Sequence, residues 1–483
     1  MNKYFYLTLL LLVTAVPADA QFLRPASMGH LSISISDSDQ ELNLFDYSGN
    51  PAWFTVDQAS DQLLFTPSYS NNWGSYRRPL SAEGTNTVQG GFTGIKYLGS
   101  SGTFLGSAKY IYDYRRSYNR TLLKNTYNGD PFYFTDTTAA DFAYKGPVFQ
   151  FMHSIAIAKN LYAGASVNYS ISNGNKKLYS YAETVYRTVN GKIGLAYNIS
   201  DNLVIGADYS IDDMQEKIDV ADINNFTIES YHFRGDKYPI PDFAKSIKHK
   251  VKQSGQNAGL QLFYSPVSDL KIIATGNYAV SESKVFVPTV YLIENEEGFS
   301  SLESYSADIA SQYALSDRLL LGVKASYTGS NEWSKSSSIN SKLWDWEVKR
   351  AEITAGGSYR IAPNFLIAAE YTFSNTDFDS SKYIDHKFVS NTSGGQYVKA
   401  GAEYGIGEHL FVRAGYNYGT AEYDLLYGGK DVDLSMYDMG LEYVLAGRLS
   451  VGGQIEYSEL KEKDSSRKRY NLGYSLVLRL FTF

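Results

Sequence analysis

Alternation of apolar and polar side chains is the feature that most constrains this chain. From about residue 62 onward, segments of about 10 residues repeat it, and a period of two belongs to strands whose faces meet different surroundings. Leu161 to Ser172 shows the pattern. Leu161, Ala163, Ala165, Val167, Tyr169 and Ile171 form one face; Tyr162, Gly164, Ser166, Asn168, Ser170 and Ser172 form the other. The same rows return at Leu203, Ile205, Ala207, Tyr209 and Ile211, at Phe365, Ile367, Ala369 and Tyr371, and at Leu476, Leu478 and Leu480. About 18 segments can be counted, the earliest being the weakest, with 14 or 16 as alternative totals. No apolar run after the first 20 residues approaches the ~20 residues that a membrane helix needs.

The connections are asymmetric. Short turns recur at Lys159-Asn160, Ser200 to Asn202, Pro266 to Asp269, Ser316-Asp317, Pro363-Asn364, Gly405 to Glu408 and Gly447-Arg448. Between them lie longer polar stretches, the longest from about Tyr118 to Pro147 and from about Asp213 to Ser254. Outer-membrane barrels are built this way, with turns in the periplasm and loops outside. An even strand count puts both ends of the barrel on the periplasmic side.

Tyrosine sharpens the assignment, with 42 residues in 483. Tyr197, Tyr264, Tyr313, Tyr359, Tyr404 and Tyr443 stand just before a short turn, whereas Tyr209, Tyr278, Tyr327, Tyr371 and Tyr416 lie most of a strand beyond one. All are on the apolar face. Folded together they make two rings, as expected where lipid meets water on both sides. A soluble sandwich or propeller would alternate too, but has no reason to hold Tyr at two heights. The expected fold is therefore an all-β transmembrane antiparallel barrel over residues 61–483.

The N-terminus accounts for the compartment. Lys3, an apolar run from Tyr4 to Val16, and Ala18-Asp19-Ala20 before Gln21 read as a secretory signal peptide over residues 1–20. Cysteine is absent, which excludes disulfides, thiol chemistry and lipid attachment through Cys. A net charge of −7 argues against nucleic acid as a partner. The partners expected are outer-membrane lipid and lipopolysaccharide, the barrel assembly machinery and a small solute.

The C-terminal run Gly473 to Phe483 resembles the terminal assembly signal of bacterial outer-membrane barrel proteins, which end on Phe. Here the outward row is Leu476, Leu478 and Leu480, so Phe481 and Phe483 are either interfacial or shifted by a bulge. Asn50-Pro51-Ala52 resembles an element near the N-terminus of the long-chain fatty acid transporter family and of related type IX secretion barrels. That resemblance implies that residues 21–60 form a hatch inside the barrel. The family has 14 strands and usually a small residue where Trp53 stands. Gly49 and Pro51 also suit an ordinary periplasmic turn, and the two readings stay open.

The polar face supplies candidate lumen residues: Lys109, Asp113, Arg115, Lys324, Glu352, Arg360, Glu370, Lys399, Glu403, Arg413, Glu442, Glu456 and Arg479. Acids and bases are interspersed, so the signs read either as wall-to-wall pairs or as a transverse field that screens solutes. Catalysis is not expected. His153 and Ser154 are adjacent on a strand and face opposite sides. His232 and His249, with Asp236 and Asp242, match no defensible motif and read as solvated loop residues. No cofactor or metal is expected, since Asp212-Asp213 and Asp431-Val432-Asp433 lack a spaced ligand pattern. The functional expectation is a channel or transporter for a small solute, the alternative being a non-transporting barrel that scaffolds partners.

Overall fold

The computed structural model describes residues 28–34, 48–56, 61–118, 120–126, 130–176, 181–221, 228–244, 246–288, 294–424, 429–445 and 449–481. The signal-peptide stretch and Phe483 lie outside them. The main element is a closed antiparallel barrel of 18 strands. Its first strand is interrupted: Gln62–Phe65 and Ser68–Gly74 pair with the same two neighbours, Gly84–Tyr97 and Lys468–Phe481. Pro67 lies in the gap and has no N–H to give the ladder. The pairs Phe65↔Leu478 and Ser68↔Ser475 keep one register across it. Closure matters physically because an open edge in lipid would leave backbone groups without partners.

The outward face is apolar and bare. Leu260, Ile193, Met439, Leu476, Ile353 and Leu441 are all exposed, as residues against acyl chains must be. Tyrosines bound this band. Tyr416, Tyr437, Tyr457 and Tyr470 follow one another around the wall with ring centres 5.0 to 6.4 Å apart, and Trp73 continues the row. Tyr305 and Tyr313 mark its two rims on one strand. Their spacing is about 27 Å along the strand, or about 20 Å across a membrane at the usual tilt.

Most barrel strands run well beyond the lipid. Ser246–Val267 and Glu294–Ser316 have 22 and 23 residues, where about 10 cross a bilayer. This corrects the extent of the two long loops. Residues 140–147, 213–221 and 246–254 are barrel strand, in Ala140–Ala158, Leu203–Ala221 and Ser246–Val267. Above the lipid both faces meet polar surroundings, so alternation fades although the ladder continues.

At the long-loop end a separate sheet of three strands, Phe132–Asp136, Ile228–Arg234 and Tyr238–Ala244, sits within the mouth. Its residues Phe132 and Phe134 pack with Leu122 and Leu123 against Ile218, Val220, Ile247, Val251, Val285 and Trp344 of the wall. At the short-turn end, residues 28–34 and 48–56 lie inside the barrel. A four-residue helical turn, Trp53–Val56, belongs to this segment.

Candidate functional site

The lumen is crossed by two layers of protein, a plug near the short turns and a cap in the mouth. Each is gripped by inward-facing side chains of the wall.

Glu370 carries the firmest contact of the plug. Its Oε1 accepts the backbone N–H groups of Ser32, Ile33 and Ser34 at 2.8, 2.7 and 2.9 Å. The Ser32 and Ser34 hydroxyls add two further bonds to the same carboxylate. Three successive N–H groups aimed at one anion form a backbone nest, here filled by the protein's own wall. Around it, Lys399 donates to the His30 carbonyl at 3.0 Å and Gln312 to the Ile33 carbonyl at 2.8 Å. Asp438 accepts the Gly29 N–H at 2.9 Å. His30 faces Glu456 at 3.2 Å, and that hydrogen bond raises the His30 pKa above its ordinary 6.5, outweighing burial.

Asn50, Pro51 and Ala52 form the second hold. The Asn50 amide donates to the carbonyls of Leu195 and Ala207, both at 3.2 Å, and to Gln261 Oε1 at 2.8 Å. Its own Oδ1 accepts the Ala52 N–H at 2.9 Å, so the buried amide is well supplied. Ser154 donates to the Ala52 carbonyl at 3.1 Å. The polar tip is backed by an apolar base in which Trp53 and Phe54 are buried against Ile95, Leu105, Met152 and Val204. The wall makes room with glycine. A Cβ on Gly194 would stand 1.9 Å from Asn50 Oδ1, one on Gly164 2.4 Å from Pro51, and one on Gly401 2.5 Å from the Met28 carbonyl.

Of the other wall positions, Glu403 and Arg413 pair at 2.6 Å, Arg413 and Glu442 at 2.8 Å, and Arg479 approaches Glu442 at 4.0 Å. Asp113 pairs with Arg115 at 2.9 Å and Lys324 with Asp308 at 3.8 Å. Glu352 takes Arg350 at 2.6 Å, and Arg360 reaches the Pro363 carbonyl at 3.3 Å. Lys109 lies on the same face as Asp113 and Arg115, in Thr103–Tyr118. Sequence reasoning missed Asp438, Gln261 and Gln312. The overlooked signal was glycine on the polar face, where a close neighbour leaves no space for Cβ.

The cap is held by charge as well as apolar packing. Asp136 pairs with the buried Lys176, Arg234 with Glu297, and Lys382 with Asp236 at 3.1 Å. Asp385, in the turn after Lys382, accepts the Asp236 N–H at 3.0 Å and the Trp344 indole N–H at 3.3 Å. Burial raises the pKa of both Asp136 and Asp385 above the ordinary carboxylate value, against the opposing pull of their lysine neighbours. The reading of His232 and His249 as solvated is corrected here. They are 7% and 2% exposed, flanking Asp242 at 3.0 and 3.6 Å. His232 lies on the cap sheet and His249 on the barrel wall, where Phe134 of the cap stacks on its ring at 4.0 Å.

Comparison with solved structures returns outer-membrane proteins at low identity. The monoaromatic hydrocarbon channel CymD is 13% identical, with 94% of this chain and 96% of that one covered at a TM-score of 0.37. A FadL homologue of Pseudomonas aeruginosa is 12% identical, with 96% and 97% covered at 0.39. The siderophore receptor PiuA of Acinetobacter baumannii is 8% identical, with 88% and 82% covered at 0.45. No curated protein matches the chain. A family model does, over residues 51–478, and the chain belongs to that family, DUF6850, a family of unknown function.

Proposed function

We propose that this protein is a plugged channel of the bacterial outer membrane, which passes a small solute when the N-terminal segment releases the wall. The observation that carries the reading is the Glu370 nest: residues 32–34 are fastened to the barrel by reversible polar contacts. Hydrogen bonds to a charged group contribute ~1.5–3 kcal/mol each, enough to hold a segment closed and small enough for a partner or solute to overcome. The apolar base around Trp53 and Phe54 suits a solute that is partly apolar. Nothing in the reading needs a catalytic step or a cofactor. Export by a cleaved signal peptide and insertion by the barrel assembly machinery belong to the same proposal.

The second reading is a barrel that scaffolds partners. It draws on strands of up to 23 residues that carry the capped mouth far above the lipid. Planar-bilayer conductance separates the two, using the refolded full chain, Glu370→Ala, and a form lacking residues 21–58. The channel reading expects a nearly silent wild type and steady conductance in both altered forms. Steady conductance of the wild type would remove the plug from the account, and silence in all three would favour the scaffold.

A further inference from the structure

One lysine of the mouth reaches from the cap into the wall. Lys124 lies in the stretch 120–126, which joins the cap where Leu122 donates its N–H to the Phe134 carbonyl at 2.8 Å. Its backbone is pinned to the barrel: the N–H donates to Glu216 at 2.7 Å and the carbonyl accepts Arg115 at 2.6 Å. The ammonium donates to the Ser172 hydroxyl at 2.8 Å. It stands 4.4 Å from the centre of the Tyr186 ring and 5.8 Å from that of Tyr144. A cation between two aromatic faces is the arrangement by which proteins recognise organic ammonium groups.

Every group that receives this ammonium belongs to the wall. Tyr144, Ser172, Tyr186 and Glu216 come from consecutive barrel strands, Ala140–Ala158, Leu161–Lys176, Tyr181–Ser200 and Leu203–Ala221. Register sets Ser172 opposite Tyr186, and Tyr186 opposite Glu216. The cluster lies well beyond Tyr209, outside the lipid. Its charges divide unevenly. Arg115 is taken up by Asp113 Oδ2 at 2.9 and 3.1 Å, whereas Glu216, 2% exposed, depends on the Lys124 stretch. Burial pushes the Glu216 carboxyl up to about 7, with Lys124 and Arg115 pulling the other way, so a cation beside it favours the ionised form. Two oxygens of the cluster, Asp113 Oδ1 and the Tyr144 hydroxyl, are buried with no hydrogen-bond partner. With Lys124 withdrawn, the wall keeps two ring faces, a hydroxyl, unused acceptors and one carboxylate left without its base.

We propose that this cage is a binding site for the ammonium group of a partly apolar amine, and that Lys124 is its internal stand-in, displaced when such a solute enters. The inference rests on the plugged-channel reading and names the class of solute. An amine free of the chain can turn its three N–H groups toward acceptors that the tethered lysine leaves unused. Because Lys124 carries the stretch 120–126 with it, its displacement loosens the cap from the wall at the same step.

The test is uptake of butylammonium by the full-length protein in detergent, measured by equilibrium dialysis at constant ionic strength in mildly alkaline buffer. Lys124→Ala vacates the cage and should take up one cation per chain, with the wild type about tenfold weaker because its tethered lysine competes. Adding Tyr186→Leu to Lys124→Ala should cost about tenfold in affinity, the share of a desolvated ring face. Heat-modifiable gel migration checks that each variant is folded, and Lys124→Gln carries the same test if Lys124→Ala does not fold. No saturable uptake by the folded Lys124 variant overturns the proposal. Uptake unchanged by Tyr186→Leu, or equal in the wild type and the Lys124 variant, overturns it as well, since the cation then sits elsewhere. Dialysis does not depend on conduction, so a protein that binds butylammonium in this pattern yet stays silent in planar bilayers upholds the cage and fails the channel reading alone.

Discussion

Ile33 donates its backbone N–H to Glu370 at 2.7 Å across 337 residues of chain, fastening an N-terminal segment to the middle of the barrel wall. Because Glu370 is 2% exposed and serves Ser32, Ile33 and Ser34 together, its loss removes three anchors at once. Glu370→Ala is expected to weaken docking of residues 28–34 by about 4–5 kcal/mol, three bonds at the lower end of their range. Hydrogen exchange of the Ser32 to Ser34 amides should then accelerate about a thousandfold, while exchange in the barrel strands stays unchanged.

Glycine makes a second test, because two nearby positions differ only in the face they present. Gly194→Ala places a methyl group 1.9 Å from Asn50 Oδ1 and must displace the hatch. Gly191→Ala meets only Ile211, at an ordinary 3.7 Å. Exchange over residues 48–56 should rise in the first variant and not in the second. Equal behaviour of the two would remove the hatch contact from consideration.

His30 gives the plug a pH dependence whose sign follows from its neighbours. Glu456 and Asp438 favour the charged imidazole and Lys399 opposes it, with the net pKa raised. A raised value means that docking gains a contribution fully present below about pH 6.5, which is lost as pH rises through the higher value of the docked state. Protection of the residue 28–34 amides, taken as exchange relative to the intrinsic base-catalysed rate, should therefore fall on going from pH 6 to mildly alkaline conditions. His30→Gln should flatten that fall.

Lys176 and Asp136 are each almost wholly buried, with side chains 2% and 0% exposed. Removing one leaves an uncompensated charge, so Lys176→Met should cost about 3–5 kcal/mol in cap stability. The double change Lys176→Met with Asp136→Leu should recover most of it. Limited proteolysis between residues 119 and 139 reads the effect, and a double variant as labile as the single one would contradict the pairing argument.

Leu260 is 69% exposed on the lipid face. Leu260→Arg should destabilise the barrel by about 2–4 kcal/mol if the residue sits near the bilayer centre. The inward neighbour Gln261 should respond differently, since Gln261→Ala removes a partner of Asn50 and leaves insertion intact. Refolding into lipid vesicles, followed by gel migration, distinguishes the two.

The barrel was readable because lipid enforces a rule on every second residue. Leu161, Ala163 and Val167 could only be one face, and the same parity placed Glu370, Lys399 and Glu456 on the other. Legibility ended where that rule stops. Above the membrane, His249, on a strand that begins at Ser246, has no lipid to define its sides and looked like loop. Partners were harder still, because Asp438 meets Gly29 through a separation of 409 residues that no local pattern encodes. Asn50 was visible as part of a turn-forming run; only the carbonyls of Leu195 and Ala207 give its amide a purpose.

The seam between the first and last strands has a consequence for the order of assembly. Gln62 lies beside Phe481, so the earliest barrel strand waits for the final one before its outer edge is covered. Until then a nascent sheet has two sticky margins, and pairing of such distant segments is slow. The plug spans two arcs of the wall, residues 50–52 meeting the stretch from Ser154 to Gln261 and residues 28–34 the stretch from Gln312 to Glu456. Neither arc crosses the seam, so each hold needs only its own run of neighbouring strands, while both together need a wall already curved around the lumen.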